Sequence, residues 1–506
     1  MGQAAHKRSI QPVNLLKEWM IPASYFVGMY LFYPFRNVFL MDFDEGFNLV
    51  KAQLLLRGFA LYRDVWSDQP PLFTYLLAGI LRFIGQNVNI VRGFTLILVC
   101  IFIWAFWKIL VSIWGKWHAA AGILFLFLLP RFTDLSVSVM IGLPAIVFAA
   151  LSMGALMRWH RQSRYFWLVA SAVLMATSVL IKLFTGFLAP IFVVGILIDG
   201  YSKDRDLNHW FKWLRPAFIW GIIFSALFLI PIWTIVTPQN LGQLINDHLI
   251  ASALANYEND PRYWLWPQLI DARPILILTV FGGFYTILRK RWLFLYPLAW
   301  TVAAFIFLSN HLPVWTHQQL LVTIPAVFLS AVAGGEALST LWGFLRARPG
   351  LDWQMLVGLA CALLFGFALA VRFPPVLSAF NDKPTFKSPG FKQTSTEMQS
   401  LYLVIRFAPK THWMVTDLPI YAFYARVPIP PNLALFSMKR LTTGQLTEES
   451  IIETMQKYQP EQVLFGRQGA DLPLVRQYVK ENYELFFSKH GTELYVLDRI
   501  LGSNKP

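Results

Sequence analysis

Cysteine is nearly missing from this chain: Cys100 and Cys361 are the only two in 506 residues, and both sit inside apolar runs. That excludes a disulfide framework, a Cys-x-x-Cys redox motif and a thiolate zinc site, so compartment has to be read from topology. Charge is scarce too, at 14% of residues against 56% hydrophobic and 16% aromatic. No internal repeat, low-complexity tract or Gly-rich loop after a strand occurs, which removes solenoid and nucleotide phosphate-loop readings. What is present is a succession of apolar runs over roughly the first 370 positions, each suited to a hydrocarbon core of about 30 Å. The composition is that of a polytopic, α-helical membrane protein.

The net charge of +15 does not mark a nucleic-acid partner. Its lysines and arginines fall in short clusters between apolar runs, the pattern that fixes membrane orientation. Taken as cytoplasmic, the clusters are Lys116; Arg158, Arg161 and Arg164; Lys203, Arg205, Lys212 and Arg215; Arg289, Lys290 and Arg291; and Arg346 and Arg348. They predict about eleven spans, near 18–38, 92–113, 118–131, 141–157, 166–181, 183–198, 217–237, 273–288, 293–309, 320–341 and 353–372. The stretch 166–198 would reach about 50 Å as one helix, too long for one crossing, so it is divided at Lys182. The first run lacks a small-residue cleavage pattern and is expected to be a retained helix. The N-terminus is then cytoplasmic and the C-terminus external, in the plasma (inner) membrane.

This frame makes residues 39–91 one external loop. Within it, amphipathic surface helices are predicted from Glu45 to Arg57, closed by Gly58, and from Pro71 to about Phe83. The transmembrane unit is expected over 1–372. From Phe373 the composition turns ordinary, and 373–506 reads as an external soluble α/β domain, with strands at Trp413–Thr416, Gln462–Phe465 and Thr492–Leu497 and helices starting near Thr447 and Leu472.

The loop carries the chemistry: Asp42-Phe43-Asp44-Glu45-Gly46 directly after the first run, then Tyr62, Asp64, Trp66 and Pro70-Pro71-Leu72. Carboxylates at a membrane boundary are costly unless they line a watery site. Over roughly 40–95 this pattern resembles membrane glycosyltransferases of the GT-C fold, in the branch of protein O-mannosyltransferases and lipid A aminoarabinose transferases. The resemblance implies an inverting transfer of a sugar from a polyprenyl phosphate to a lipid, glycan or protein acceptor. A hydroxyl is a weak nucleophile at neutral pH and needs a carboxylate base, whereas a phosphate leaving group needs positive charge. By the resemblance Asp44 is the base, Glu45 orients it or holds a metal, and Asp134 fills a second acidic position. A plain helix-capping role for Asp44 is the alternative. The sequence Gly142-Leu143-Pro144 departs from the family at a place where relatives carry an acid.

For the departing phosphate the candidates are Lys182, which interrupts an apolar stretch, Arg92, which opens the second span, and Arg63. His311 and His317 flank Pro313 and are candidates for the donor site or, with Glu45, for a divalent metal, although their spacing fits no metal motif. The long loop 238–272, with His248 and Asn256-Tyr257-Glu258-Asn259-Asp260, is a candidate lid. Asp417 and the rigid Arg426–Pro431 connection read as structural. The competing classes are a transporter or flippase, and an envelope assembly protein that kept the fold without activity. A transporter would place charges at mid-membrane in repeated halves, and neither feature is seen.

Overall fold

The computed structural model describes residues 12–203, 210–249, 259–346, 353–381, 395–467 and 469–501. Among them, eight helices are long and apolar enough to cross a membrane: Val88–Ile113, Gly142–Gln162, Leu183–Ser202, Trp210–Val236, Leu265–Leu288, Trp292–Ser309, Thr316–Arg346 and Met355–Ser378. The remaining expected spans fall on α1 (Pro12–Phe32) and on the shorter apolar helices Lys116–Leu128 and Tyr165–Ile181. Helix α1 stops before 38 because Pro34 opens a short 3-10 turn, Pro34–Arg36. The helix Leu320–Arg346 is the axis of the bundle. Its residues from Leu320 to Gly335 are all buried, and it packs on Lys116–Leu128, Arg273–Leu288, Leu295–Ser309 and Trp353–Asn381.

The division at Lys182 is present. The helix Tyr165–Ile181 ends there, Lys182 is extended (φ −149°, ψ 123°), and a 3-10 turn, Leu183–Phe187, leads into Leu188–Lys203.

Between the first helix and the bundle, α2 spans Asp44–Leu56 and α3 spans Leu72–Ile84. Gly58 has φ 91°, a left-handed position that suits glycine after a helix. Helix α3 keeps the amphipathic pattern, burying Phe73, Leu77, Ala78 and Leu81 while Phe83 and Ile84 stay exposed. Helix α2 differs from the expected surface helix, because every residue from Glu45 to Leu54 is buried. The physical reason is a second layer on its outer side. A Cβ at Gly46 would lie 2.6 Å from the Ile420 backbone nitrogen, so only glycine lets the helix Pro419–Ala425 approach this closely.

That second layer is the C-terminal unit. Its sheet has the order β1-β2-β4-β3, with β1 Met414–Thr416, β2 Gln462–Phe465, β3 Glu484–Lys489 and β4 Thr492–Val496. β1 and β2 are parallel and joined through the helix Glu448–Tyr458, whereas β4 runs antiparallel to both its neighbours. Strand β3 was not anticipated. It forms a hairpin with β4 across His490-Gly491, both at positive φ, as a two-residue hairpin turn demands. The Pro374-Pro375 pair, expected at a domain boundary, lies inside the helix Trp353–Asn381. One apolar core runs through both layers, joining Leu49, Val50 and Leu77 to Leu401, Ile420 and Val463. The unit is therefore packed onto the loop 39–91 as part of the same core.

Candidate functional site

The segment ahead of α2 is held by one buried ion pair. Glu45 and Arg92, both with fully buried side chains, meet through Nη2 to Oε2 at 2.6 Å and Nε to Oε1 at 3.0 Å. Arg92 also donates to the carbonyls of Phe35 and Val38, at 2.7 and 2.8 Å. Glu45 accepts the backbone N–H groups of Met41 and Val139, each at 2.9 Å. A buried pair persists only when its remaining donors and acceptors are satisfied, and here they are. The pair ties the end of α1, the start of α2, α4 (Val88–Ile113) and the segment before Gly142 into one rigid mount. This corrects the expectation for two residues. Arg92 has its guanidinium engaged inside the protein rather than offered to a donor phosphate, and Glu45 braces the loop instead of reaching a metal.

Asp44 is the first residue of α2, and its N-cap is Phe43, with no side-chain capping bond. The capping reading therefore does not hold: it is Asp42 Oδ1 that accepts the Asp44 N–H, at 3.3 Å. The Asp44 carboxylate has no hydrogen bond or ion pair among the described residues. It keeps part of its surface accessible while protein surrounds it, and that desolvation, reinforced by the charge of Asp42 and opposed by Lys182, pushes its carboxyl up to about 6. Asp42 is also raised by desolvation, against the pull of Arg131.

Arg131 links the acids. It bonds Asp42 Oδ2 at 2.9 Å and Asp134 Oδ2 at 3.1 Å, and Asp134 also takes the Tyr33 hydroxyl. Asp134 thus joins the site through Arg131. His317 is brought in from a distant part of the chain. One ligand atom each from Asp42, Asp44 and His317 lie within 4.8 Å of one another, a mixed oxygen and nitrogen set of the kind a divalent cation takes. His311 is outside that set but close to Lys182, with its ring edge-on to Phe184, the ring that also carries the Lys182 ammonium, and stacked on Phe307.

Two lysines face the acids. Lys182 is 8% exposed, lies over the Phe184 ring with Nζ 5.1 Å from its centroid, and feels Asp44, Asp68 and Asp42. A side chain at Gly142 would begin 3.9 Å from that Nζ, so the family departure at 142 keeps the space beside the lysine open. Lys51 is the residue that reading the sequence missed. It is 2% exposed, and its ammonium is lowered by burial while attracted by Asp68 and Asp44. The signal was its spacing, since position 51 is seven residues after Asp44 and returns to the same helix face. Neither ammonium has a hydrogen-bonded or ion-paired partner among the described residues. Arg63, by contrast, is exposed and paired with Asp64 at 2.9 Å in the turn after α2.

The C-terminal unit reaches the same place. Asp417 accepts the N–H groups of Gly466, Arg467 and Gly469 at 2.8 to 2.9 Å, which sets the loop so that the Arg467 guanidinium lies 3.6 Å from the Phe43 ring centroid. Lys439 approaches Asp68 at 3.8 Å. The lid expected within 238–272 has its Asn256–Glu258 portion outside the described residues, as is the side chain of His248.

The family model described as dolichyl-phosphate-mannose-protein mannosyltransferase matches residues 68–233. No curated protein matches the chain. Among solved structures, ArnT from Cupriavidus metallidurans bound to undecaprenyl phosphate superposes with a TM-score of 0.59 at 13% identity, over 96% of this chain and 98% of that one. Archaeal oligosaccharyltransferase AglB from Archaeoglobus fulgidus, in complex with an inhibitory peptide and a dolichol-phosphate, gives 0.56 at 13% identity, over 97% of this chain and 74% of that one. The chain has the GT-C fold of these membrane proteins.

Proposed function

We infer that a chain with this fold, and with a lone carboxylate facing two buried lysines, is an inverting glycosyltransferase that uses a polyprenyl-phosphate sugar. The observation that carries the reading is the surroundings of Asp44. Its carboxylate has no hydrogen bond or ion pair among the described residues, its carboxyl is pushed up to about 6, and it shares its surroundings with two buried ammonium groups that likewise lack such a partner among the described residues. Such an arrangement is poor as mere structure, because desolvated charges are costly unless they meet a partner.

In the proposed reaction an acceptor hydroxyl, or another protonated nucleophile, sits against Asp44. The carboxylate takes its proton as the acceptor oxygen bonds to the anomeric carbon from the face opposite the leaving group. The bond from that carbon to the phosphate oxygen breaks, and the electron pair leaves with the polyprenyl phosphate. Lys182 and Lys51 then meet the added negative charge in a site of low polarity. Asp42, Asp44 and His317 are the residues that would hold a divalent cation, whose chemistry there is to neutralise phosphate charge. Glu45 and Arg92 keep Asp44 in place, and Arg131 holds Asp42 and Asp134 beside it.

The same geometry supports an external site. The helix Gly142–Gln162 begins beside Lys182 and ends in the cluster of Arg158 and Arg161, about 30 Å away at 1.5 Å per residue. Taking the basic clusters as cytoplasmic, we propose that the site serves the opposite face of the membrane. The test is release of free polyprenyl phosphate from a panel of lipid-linked sugars by purified protein supplied with candidate acceptors. Release by wild type that is lost in Asp44→Asn supports donor class and base together. Equal release by both would remove Asp44 from the chemistry, and none from any donor with any acceptor would favour the transport or assembly readings.

A further inference from the structure

A second polar cavity, of about 230 Å³, lies away from Asp44 where the end of α1 and the start of α4 meet the helix Pro419–Ala425. Its wall includes Arg36, Gln86, Asn87, Asn89, Tyr424 and Arg426, and no carboxylate. Neither guanidinium is paired with an acid among the described residues. Arg36 lies over the Tyr30 ring and donates to the Tyr30 carbonyl at 3.0 Å. Arg426 occupies a left-handed backbone position, φ 59°, where glycine would be the unstrained choice. Asn89 donates its amide N–H to the Arg36 carbonyl at 3.0 Å, which fixes that wall. Two cations with no carboxylate among the lining residues describe a site for an anion.

The surroundings say where such a ligand comes from. At the end of the helix that precedes Arg36, Leu31 and Phe32 are 62% and 72% exposed, and at the end of the helix that precedes Gln86, Phe83 and Ile84 are 87% and 60% exposed. Apolar side chains this open, on two helices that both lead into the cavity, mark the level of acyl chains, with the cavity at headgroup level beside them. The geometry points to a binding site for the headgroup phosphate of an anionic phosphoglycerol lipid, with Arg36 and Arg426 as its charge partners. A bound headgroup spans the two layers of the fold, because Arg36 belongs to the membrane bundle and Arg426 to the C-terminal unit.

Native mass spectrometry of the full chain in detergent tests this without any transfer assay, so its failure is separate from failure of the proposed reaction. Wild type is expected to retain phosphatidylglycerol about tenfold better than phosphatidylcholine of the same acyl chains, as charge-assisted contacts to phosphate give. Arg36→Gln with Arg426→Gln should abolish that preference. Arg36→Lys with Arg426→Lys, which keeps both charges, should retain most of it, and this pair keeps the test open if the glutamine pair fails to fold. Equal retention of phosphatidylglycerol and phosphatidylcholine by wild type, or a preference untouched by Arg36→Gln with Arg426→Gln, overturns the assignment. Displacement of the lipid by millimolar glycerol phosphate would assign the cavity to a free phosphate ester and overturn the lipid source.

Discussion

Protonation of Asp44 should set the acid side of the reaction's pH profile. Burial holds its carboxyl at about 6, so the base form is nearly complete at pH 7.5 and falls to about a tenth at pH 5. Single-turnover release of lipid phosphate should therefore drop about tenfold between those values, with an inflection near pH 6. The same burial affects stability, with a sign that can be checked. A carboxyl whose pKa is raised on folding carries no penalty below the unfolded value of 3.8 and the whole penalty above about 6. Two pH units at 1.36 kcal/mol each give at most about 3 kcal/mol, less for the part of Asp44 that solvent screens. Asp44→Asn should accordingly raise the midpoint of thermal unfolding at pH 7.5 and leave it unchanged near pH 4, while abolishing release. Part of the gain is offset because Lys51 and Lys182 lose an anion. The assays are quenched-flow release from pH 5 to 8 and unfolding in detergent at both pH values. A rate flat from pH 5 to 7.5, or a variant less stable than wild type at pH 7.5, would refute the assignment of Asp44 as a desolvated base.

Other consequences are as direct. Lys51→Met should weaken donor binding about tenfold, read as KM with little change in acceptor dependence, because it removes a cation facing the phosphate; an unchanged KM would return Lys51 to a structural role. Arg92→Met leaves Glu45 buried and unpaired, so a loss of about 3 to 5 kcal/mol is expected, visible as failure to survive purification or a much lower unfolding midpoint. Gly46→Ala forces α2 away from Ile420 and should cost about 1 to 3 kcal/mol, with the C-terminal unit cut faster in limited proteolysis. Chelation of divalent ions should slow release if Asp42, Asp44 and His317 hold a cation, and His317→Ala should abolish the sensitivity to chelator.

Much of this protein was legible in the chain itself. Apolar runs, the cation at Lys182 and the Gly58 stop act through local rules of length, desolvation cost and backbone sterics, and the helices follow them within a few residues. The acids of the loop were legible as a site for the same reason, since carboxylates beside an apolar run require an explanation. Partnership was not legible. Arg92 looked like a free cation at the mouth of a helix, and only the fold shows that Glu45, 47 residues earlier, takes it up. Lys51 looked like an ordinary polar residue of a surface helix, and it became a buried charge because the fold encloses the face of that helix which it shares with Asp44. His317 and His311, six residues apart, were indistinguishable by type, yet one points to Asp42 and Asp44 and the other to phenylalanines. Sequence by itself determined where the long apolar helices run and where the acids stand, because those depend on neighbours along the chain. Tertiary structure alone decided which charges are spent on each other and which keep no such partner among the described residues, because that depends on what packs against them from distant parts of the chain.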